Sequence, residues 1–348
     1  MKHHSVSVVI PVGLNESRAM FCLEQFSRLL PPVDEIVLVC DGANKSAREA
    51  SAVFGARLVE LPRRLGPACA RNQGAFAASS DVLLFVDADV LVPPDVVHEI
   101  LKVLDFESGV VACFGSYDDA PAETNFLSQY KNLFHHYVHQ NSPAEASTFW
   151  TGCGAIFRDV FEELGGFNEA FGRPSVEDIE FGYRLREAGY QTRLVHSLQV
   201  KHLKRWEARS LLRTDFLRRA IPWGRLVLKR TSIPHELNLQ LSGRLSGLAA
   251  LVLAGSLLIL ALNWQAGLVM ALVAVVSLVL LNLSLYRFFR RKRGLLFMSG
   301  AVLWNWFYYL YGSVGFGVAL VQHCLARWKP SGRHSDESKR IGAELPLD

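Results

Sequence analysis

The sequence predicts an α/β protein: a doubly wound, mostly parallel sheet followed by C-terminal transmembrane helices. Three observations carry this. Short apolar runs of strand length alternate with helical patterns through the first 86 residues. The most apolar run, Val82 to Val86, has no polar alternation, as in a strand covered on both faces, and ends in Asp87-Ala88-Asp89. Composition then shifts: residues 1 to about 240 resemble a soluble domain, and about 245 to 325 are dominated by Leu, Val, Ala, Gly and aromatics.

In chain order, Val6 to Val12 reads as the first strand. Asn15 is a candidate N-cap, and Met20, Leu23, Phe26 and Leu30 recur at helical spacing until Pro31-Pro32 stops the helix. Glu35 to Val39 is a second strand ending in Cys40-Asp41-Gly42, and a helix follows from about Ser46 to Phe54. Arg57 to Glu60 is a short third strand, the Ala-rich Pro67 to Ala78 a third helix, and Val82 to Val86 the fourth strand. This β-α-β-α-β-α-β order is that of a doubly wound sheet.

Ligands of such sheets sit beyond the carboxyl ends of the strands. Asp87 and Asp89 stand there, where Mg²⁺ or Mn²⁺ is held through one or two carboxylates plus substrate phosphates; solvated turn residues are the alternative. Asp41 can accept from a base or ribose, or simply form an Asp-Gly turn. Arg71 can meet a phosphate or be a solvated helix residue. No G-x-G-x-x-G follows the first strand and no G-x-x-x-x-G-K-[ST] occurs, so dinucleotide and P-loop readings lose their support.

Further along, Phe126, Tyr130, Leu133, Phe134, Tyr137 and Val138 share one face of an amphipathic helix over 123–140. His135 and His139 on it are four apart but lack the glutamate of a zincin. Thr151 to Arg158 reads as a strand with Gly152 and Gly154 at a close approach. Residues 162–169 form a helix end and turn, and a helix follows from about 175 to Gly189. Glu177 and Asp178 fall in its first turn, where they complement the helix dipole or serve as a general base. Six scattered cysteines with no Cys-x-x-Cys pair argue against a zinc ribbon or a disulfide framework and suit a reducing compartment. No signal peptide is legible.

Together these pieces resemble the family 2 glycosyltransferases of GT-A fold. The matching text is Ser7 to Pro11, Val39 to Ala43, Gly66 to Gly74, Asp87-Ala88-Asp89, Gly165 to Glu169 and Glu177-Asp178, in the family's order over about residues 5–210. The resemblance implies inverting sugar transfer from a nucleotide-sugar donor with Mn²⁺ or Mg²⁺. It implies donor contacts from Pro11, Val12, Glu16, Asp41, Arg71, Asp87 and Ala88, and metal contacts from Asp89, Asp87 and His202. Asp178 would be the base, Glu177 would support the acceptor, and Gly152, Arg205 and Trp206 would line the acceptor side. Three departures stand out. Cys40 occupies a position where the family often has an acid, the Pro11 to Asn15 loop is one residue longer, and His202-Leu203-Lys204-Arg205-Trp206 has His where processive synthases have Gln. Trp206 either stacks on the acceptor or packs beneath a membrane-proximal helix.

Ten Lys/Arg lie between Lys201 and Arg230 with interleaved leucines and aromatics, either as a solvated basic helix or as one lying on anionic headgroups. Apolar stretches at about 245–262, 266–286 and 297–325 are candidate spans. The expected organisation is a glycosyltransferase domain over 1–200, basic interfacial helices over 201–240, a membrane region over 241–326 and a polar tail over 327–348. The basic loop Arg287 to Arg293 places that loop, and the catalytic domain, on the cytoplasmic face of the inner membrane by the positive-inside rule. The expected partners are a nucleotide-sugar, a lipid or lipid-linked acceptor and the membrane, with no nucleic acid. The rivals are a processive polysaccharide synthase, a catalytically inactive nucleotide-sugar-binding subunit, and a soluble nucleotidyltransferase, which the apolar hairpin disfavours.

Overall fold

The computed structural model describes residues 4–13, 19–230 and 240–328. Asn15, Glu16 and the tail beyond 328 lie outside the described residues. The chain divides into two compact units. Of the described residues, one holds those up to Glu123 and those from Pro143 to Lys204, and the other holds Thr124–Ser142 and those from Arg205 to Trp328. The helix at 126–140 thus groups with the apolar C-terminal helices, although it interrupts the sequence of the sheet unit.

The sheet unit opens with β1 (Val6–Val12), α1 (Ala19–Phe26), β2 (Glu35–Cys40), α2 (Lys45–Phe54), β3 (Arg57–Glu60), α3 (Pro67–Ala77) and β4 (Val82–Val86). It continues with β5 (Val90–Leu91), α4 (Val96–Val103) and β6 (Val110–Tyr117). After α5 (Phe126–Gln140), which belongs to the other unit, come β7 (Glu145–Ala146), β8 (Cys153–Phe157), α6 (Arg158–Glu163), α7 (Glu177–Glu187) and β9 (Gln191–His202). The strand order is β3-β2-β1-β4-β8-β6-β9-β5, with β7 paired to β9. β1 to β4 are mutually parallel, as expected. β8 enters antiparallel between β4 and β6, and β6 and β9 are parallel again.

Every residue of β4 is fully buried, which is why its pattern lacks alternation. Burying each such side chain contributes about 1.5–3 kcal/mol. Helix α3 lies directly on the sheet: a Cβ on Gly74 would stand 2.3 Å from Val9 Cγ1 and 2.8 Å from Val39 Cγ2. The turn before it needs Gly66, whose φ is +97° and whose Cβ would meet the Gly172 carbonyl oxygen at 2.5 Å. Beneath β4, Phe85 packs with Phe149, Phe161 and Phe167 at centroid separations of 6.3, 5.3 and 5.3 Å, and Phe181 joins Phe167 at 5.0 Å. These rings form the floor under the end of β4.

The helical unit holds α5, then α8 (Ala208–Arg213), a π-helical turn over Thr214–Ala220 and α9 (Ile221–Leu228). The long apolar helices follow: α10 (Leu241–Leu262), α11 (Trp264–Leu281) and α12 (Leu283–Trp328). These three are long and apolar enough to cross a membrane. At about 33 and 27 Å, α10 and α11 match a hydrocarbon core. The helix ends differ in detail from the apolar stretches. The second ends at Leu281 and not at 286, because Asn282 caps α11, and Leu285, Tyr286 and Phe289 turn away to pack with Tyr130, Leu133 and Phe134 of α5. The third candidate helix, Leu283–Arg327, contains the expected third stretch. Gly294, with φ +83°, breaks α12 into two arms that fold back on each other, so that the Trp306 indole N–H reaches the Tyr286 hydroxyl at 3.0 Å. Residues 297–302 pack with the first arm, and only from Trp306 onward does the second arm pack with α10 and α11.

Within this unit Lys131 of α5 reaches both carboxylate oxygens of Asp215 at 2.8 Å, and the Tyr311 hydroxyl donates to Asp215 at 3.0 Å. Burial pushes Asp215 up, but Lys131, Arg219 and these hydrogen bonds outweigh it and hold the carboxyl below its ordinary range. The basic segment therefore contains a buried ion pair as well as exposed cations. His135 and His139 lie with ring centroids 4.1 Å apart, and among the described residues no third ligand joins them.

Candidate active site

The site forms where β4 ends. Asp87 and Asp89 follow Val86, and the two-residue strand β5 starts at once. β5 pairs antiparallel with the last residues of β9, Val90 opposite His202, and the Leu203 amide donates to the Asp89 carbonyl at 2.8 Å. This register brings residues 113 positions apart together: His202 Nε2 lies 3.7 Å from Asp89 Oδ2. The imidazole is buried and stacks on Tyr117, centroids 4.2 Å apart and planes 14° apart. Tyr117 in turn meets the Trp150 ring edge-on at 4.8 Å.

Neither aromatic was singled out in the sequence. Tyr117 ends β6 and Trp150 precedes β8, so both stand at the strand ends beside Asp89, and only strand order places them there. The one sequence signal was Gly152. A Cβ there would stand 2.2 Å from the Trp150 ring, and the Gly152 carbonyl faces the Asp87 amide at 3.4 Å.

The second feature is Arg71, on the face of α3 beside β4. It is not a solvated helix residue. Its side chain is only 6 % exposed, with Nη2 2.7 Å from Asp87 Oδ1 and Nη1 3.1 Å from Glu177 Oε1. Burial opposes its charge, but Asp87, Glu177 and Asp178 together hold it protonated above its ordinary value. Both ends of the guanidinium are engaged by the protein's own carboxylates. Glu177 is buried, and its other oxygen accepts from the Ser175 amide at 2.8 Å. Asp178, next in α7, is half-buried and accepts from the Ile179 amide at 2.8 Å. Arg71 thus ties the start of α7, with Asp178, to the end of β4.

The segment before α7 is fixed by Asn72. Its side chain accepts from the Phe167 amide at 2.8 Å and donates to the Phe167 carbonyl and the Glu169 carboxylate, each at 2.9 Å. Gly166, with φ +67°, has no room for a Cβ because Asn72 Oδ1 would stand 2.6 Å away. The Gly-Gly-Phe-Asn-Glu and Arg71-Asn72 motifs are therefore two halves of one contact.

Asp41 is buried, and its carboxylate accepts from the Leu65 amide at 2.6 Å and the Gly66 amide at 3.0 Å. It thereby braces the loop that opens α3. Pro11 and Val12 end β1 beside it, the Val12 carbonyl accepting from the Asp41 amide at 2.9 Å, and Ala88 is buried between the two aspartates. Cys40, where the family often has an acid, is fully buried, and burial pushes its thiol up to about 11. Glu16 lies outside the described residues. Arg205 and Trp206 open the helical unit. Arg205 is exposed beside Glu207 at 3.8 Å. Trp206 is 4 % exposed, its amide donating to Ser128 Oγ at 2.7 Å and its carbonyl accepting from Asn125 at 2.7 Å.

Asp89 and His202 fit a divalent ion. Oxygen and imidazole donors 3.7 Å apart lie near the span of adjacent ligands bound at about 2.0–2.2 Å. Among the described residues no three His, Cys, Asp or Glu side chains converge, so such an ion would draw its remaining ligands from phosphate oxygens and water. Cys153, at the edge of the site, is inert: burial pushes its thiol up to about 12.

Comparison with known proteins agrees with this geometry. Residues 7–165 match the family described as "Glycosyl transferase family 2", and residues 132–208 match "N-terminal domain of galactosyltransferase". "N-acetylgalactosaminyltransferase 6" of Drosophila melanogaster is 26 % identical over 230 residues, 58 % of this chain and 34 % of the relative. The chain thus spans about a third of the length of that curated relative. Among solved structures, the mannosyltransferase PcManGT from Pyrobaculum calidifontis, in complex with GDP-Man and Mn²⁺, superposes with a TM-score of 0.58 at 16 % identity. The match covers 94 % of this chain and 89 % of that one. Residues 7–165 of the sheet unit thus match the glycosyl transferase family 2 model, and the chain shares the GT-A fold of the mannosyltransferase structure.

Proposed function

We propose that the protein is an inverting glycosyltransferase that moves a sugar from a nucleotide-sugar to a hydroxyl of a lipid or lipid-linked saccharide at the cytoplasmic face of the inner membrane. The observation that carries the reading is the pairing of His202 with Asp89 at the end of β4, with Arg71 tying Asp87 to the start of α7. Asp89 and His202 would hold Mn²⁺ or Mg²⁺, and imidazole favours the manganese-like ion. The ion supplies Lewis-acid stabilisation of the leaving diphosphate. Asp87, oriented by Arg71, lies beside it for the ribose. Pro11, Val12 and Ala88 form the rim of the nucleotide side. Asp178 takes the proton of the acceptor hydroxyl as its oxygen bonds to the anomeric carbon and the bond from that carbon to the diphosphate breaks. Base and leaving group then lie on opposite faces of the sugar, which inverts it.

The donor class agrees with the GDP-Man of the archaeal structure and with a relative named for N-acetylgalactosaminyl transfer. The acceptor class rests on the three apolar helices and on the basic run Arg287 to Arg293 that follows the first two. The test is transfer and hydrolysis with a panel of nucleotide-sugars, with Mn²⁺ or Mg²⁺ and membrane lipid extract. The expected result is metal-dependent turnover of one donor, lost in Asp89→Ala and Asp178→Asn, with label recovered in lipid. Nucleotide binding without turnover, unchanged in Asp178→Asn, would overturn the reading.

A further inference from the structure

The helical unit contains a cavity of about 150 Å³ that the proposed reaction does not use. It lies where helix ends converge: Tyr137 and Asn141 at the end of α5, Gln240 before α10, Asn282 capping α11 and Ser284 opening α12. Tyr309, on the second arm of α12, closes it from the side. Because α10 and α11 form a hairpin turning at Asn263, the start of α10 and the end of α11 share the open end of that hairpin. With both helices about as long as a hydrocarbon core is thick, the cavity falls at headgroup depth, not at the bilayer centre.

Its chemistry is unusual for that depth. Arg244 lies one residue beyond Gly243 on α10 and Arg287 two residues beyond Leu285 on α12, yet no charged side chain lines the cavity among the described residues. The lining is hydroxyls and carboxamides set among aromatic and aliphatic surface. The Tyr137 hydroxyl donates to Ser284 Oγ at 2.6 Å, and the Tyr309 hydroxyl to Asn282 Oδ1 at 2.7 Å. Asn282 is itself anchored to Ser246 Oγ at 2.9 Å, so the polar groups are held in place. Phe134 and Tyr308 supply ring surface. An ionised headgroup drawn in here would lose its hydration with no opposite charge to replace it. An uncharged polyhydroxyl group finds donors, acceptors and apolar surface together, the mixture that orients a small ligand in an otherwise apolar pocket.

We propose that this cavity binds the uncharged sugar headgroup of a membrane glycolipid. The inference rests on reading the long helices as membrane spans; it requires neither sugar transfer nor the metal. A hexose ring is of the size of this cavity, comparable to the roughly 150 Å³ that admits a benzene molecule. The acyl chains would leave along the apolar faces of α10 and α11, whose Leu245, Leu248, Leu272 and Val273 are exposed.

The test uses the full chain in lipid nanodiscs containing equal amounts of a monohexosyl diacylglycerol and a phosphatidylglycerol of the same acyl chains. Lipid retained after detergent extraction and purification is measured by mass spectrometry. The expected result is enrichment of the monohexosyl lipid by about tenfold over phosphatidylglycerol. Ser284→Leu and Asn141→Leu each lower that enrichment by about fivefold, the loss expected for about one hydrogen bond. Both substitutions fall at exposed positions, and a thermal midpoint matching wild type shows that the variants fold. Equal retention of the two lipids, preferential retention of phosphatidylglycerol, or enrichment unchanged in both folded variants would overturn the proposal. A chain recovered outside the discs overturns the span reading and this proposal with it, whereas an inactive but lipid-selective chain overturns only the proposed reaction.

Discussion

Replacing Arg71 with Met removes the guanidinium that joins the end of β4 to the start of α7. The two ion pairs carry unequal weight. The pair with Glu177 is buried on both sides, each side chain 6 % exposed, so Arg71→Met leaves a carboxylate stranded out of water. Losing one partner of such a pair costs about 3–5 kcal/mol. Asp87 is 32 % exposed, and water replaces much of what Arg71 gave it, so that pair adds about 0–1 kcal/mol. Glu177 can relax by taking up a proton, which favours the lower end of the range, and the expected loss is about 3 kcal/mol. For a unit of this size that lowers the thermal midpoint by about 6–12 °C. Turnover falls as well, because Asp87 and Asp178 lose their common tie. The double variant Arg71→Met/Glu177→Gln recovers much of the stability, since no charge is then stranded, but not the activity. The assays are thermal unfolding of the purified chain and donor turnover in the same buffer. An Arg71→Met protein with a wild-type midpoint and wild-type turnover would refute the reasoning.

Four further outcomes are expected. Chelation with EDTA abolishes transfer, and His202→Gln weakens the response to Mn²⁺ more than the response to Mg²⁺, read as the ratio of the two activation curves. Gly152→Val forces the Trp150 ring away from a contact of 2.2 Å and lowers turnover at least about tenfold with the fold retained, whereas Gly182→Val drives a Cβ into the Phe149 and Thr148 backbone at 2.4 Å and unfolds the unit, as circular dichroism would report. Lys131→Met destabilises the helical unit by about 3 kcal/mol because the buried Asp215 keeps only Arg219 at 4.0 Å and the Tyr311 hydroxyl, and Lys131→Met/Asp215→Leu restores most of it in denaturant unfolding. Asp215 has a folded pKa held below 3.8, so its contribution is present above the unfolded value and is lost as pH falls through the folded one. Acid unfolding of wild type below about pH 4 should therefore be steeper than that of Asp215→Asn.

The sequence by itself determined the four parallel strands, their helices and the position of the aspartates, because these follow from local periodicity and from turn chemistry beside it. The all-apolar β4, Gly66 and Gly74 each report a local constraint that leaves a trace at its own position: burial on both faces, a positive φ, a close helix-to-sheet approach. The ordered motifs likewise indicated the family. The tertiary structure alone decided the partners. Arg71 reads as an ordinary helix cation until the fold brings it to Asp87 at the end of β4 and to Glu177 at the start of α7. His202 became a neighbour of Asp89 through a two-residue ladder too short to show a pattern, and Tyr117 and Trp150 joined them because β8 enters antiparallel between β4 and β6. The same holds for the apolar helices. Hydropathy located them, but Asn282 and Gly294 moved their ends, since an average over a window does not register one capping amide or one left-handed residue. Periodicity and hydropathy are properties of neighbours along the chain; salt bridges, ladders and cavities join residues tens to hundreds of positions apart, and only the folded chain brings those into contact.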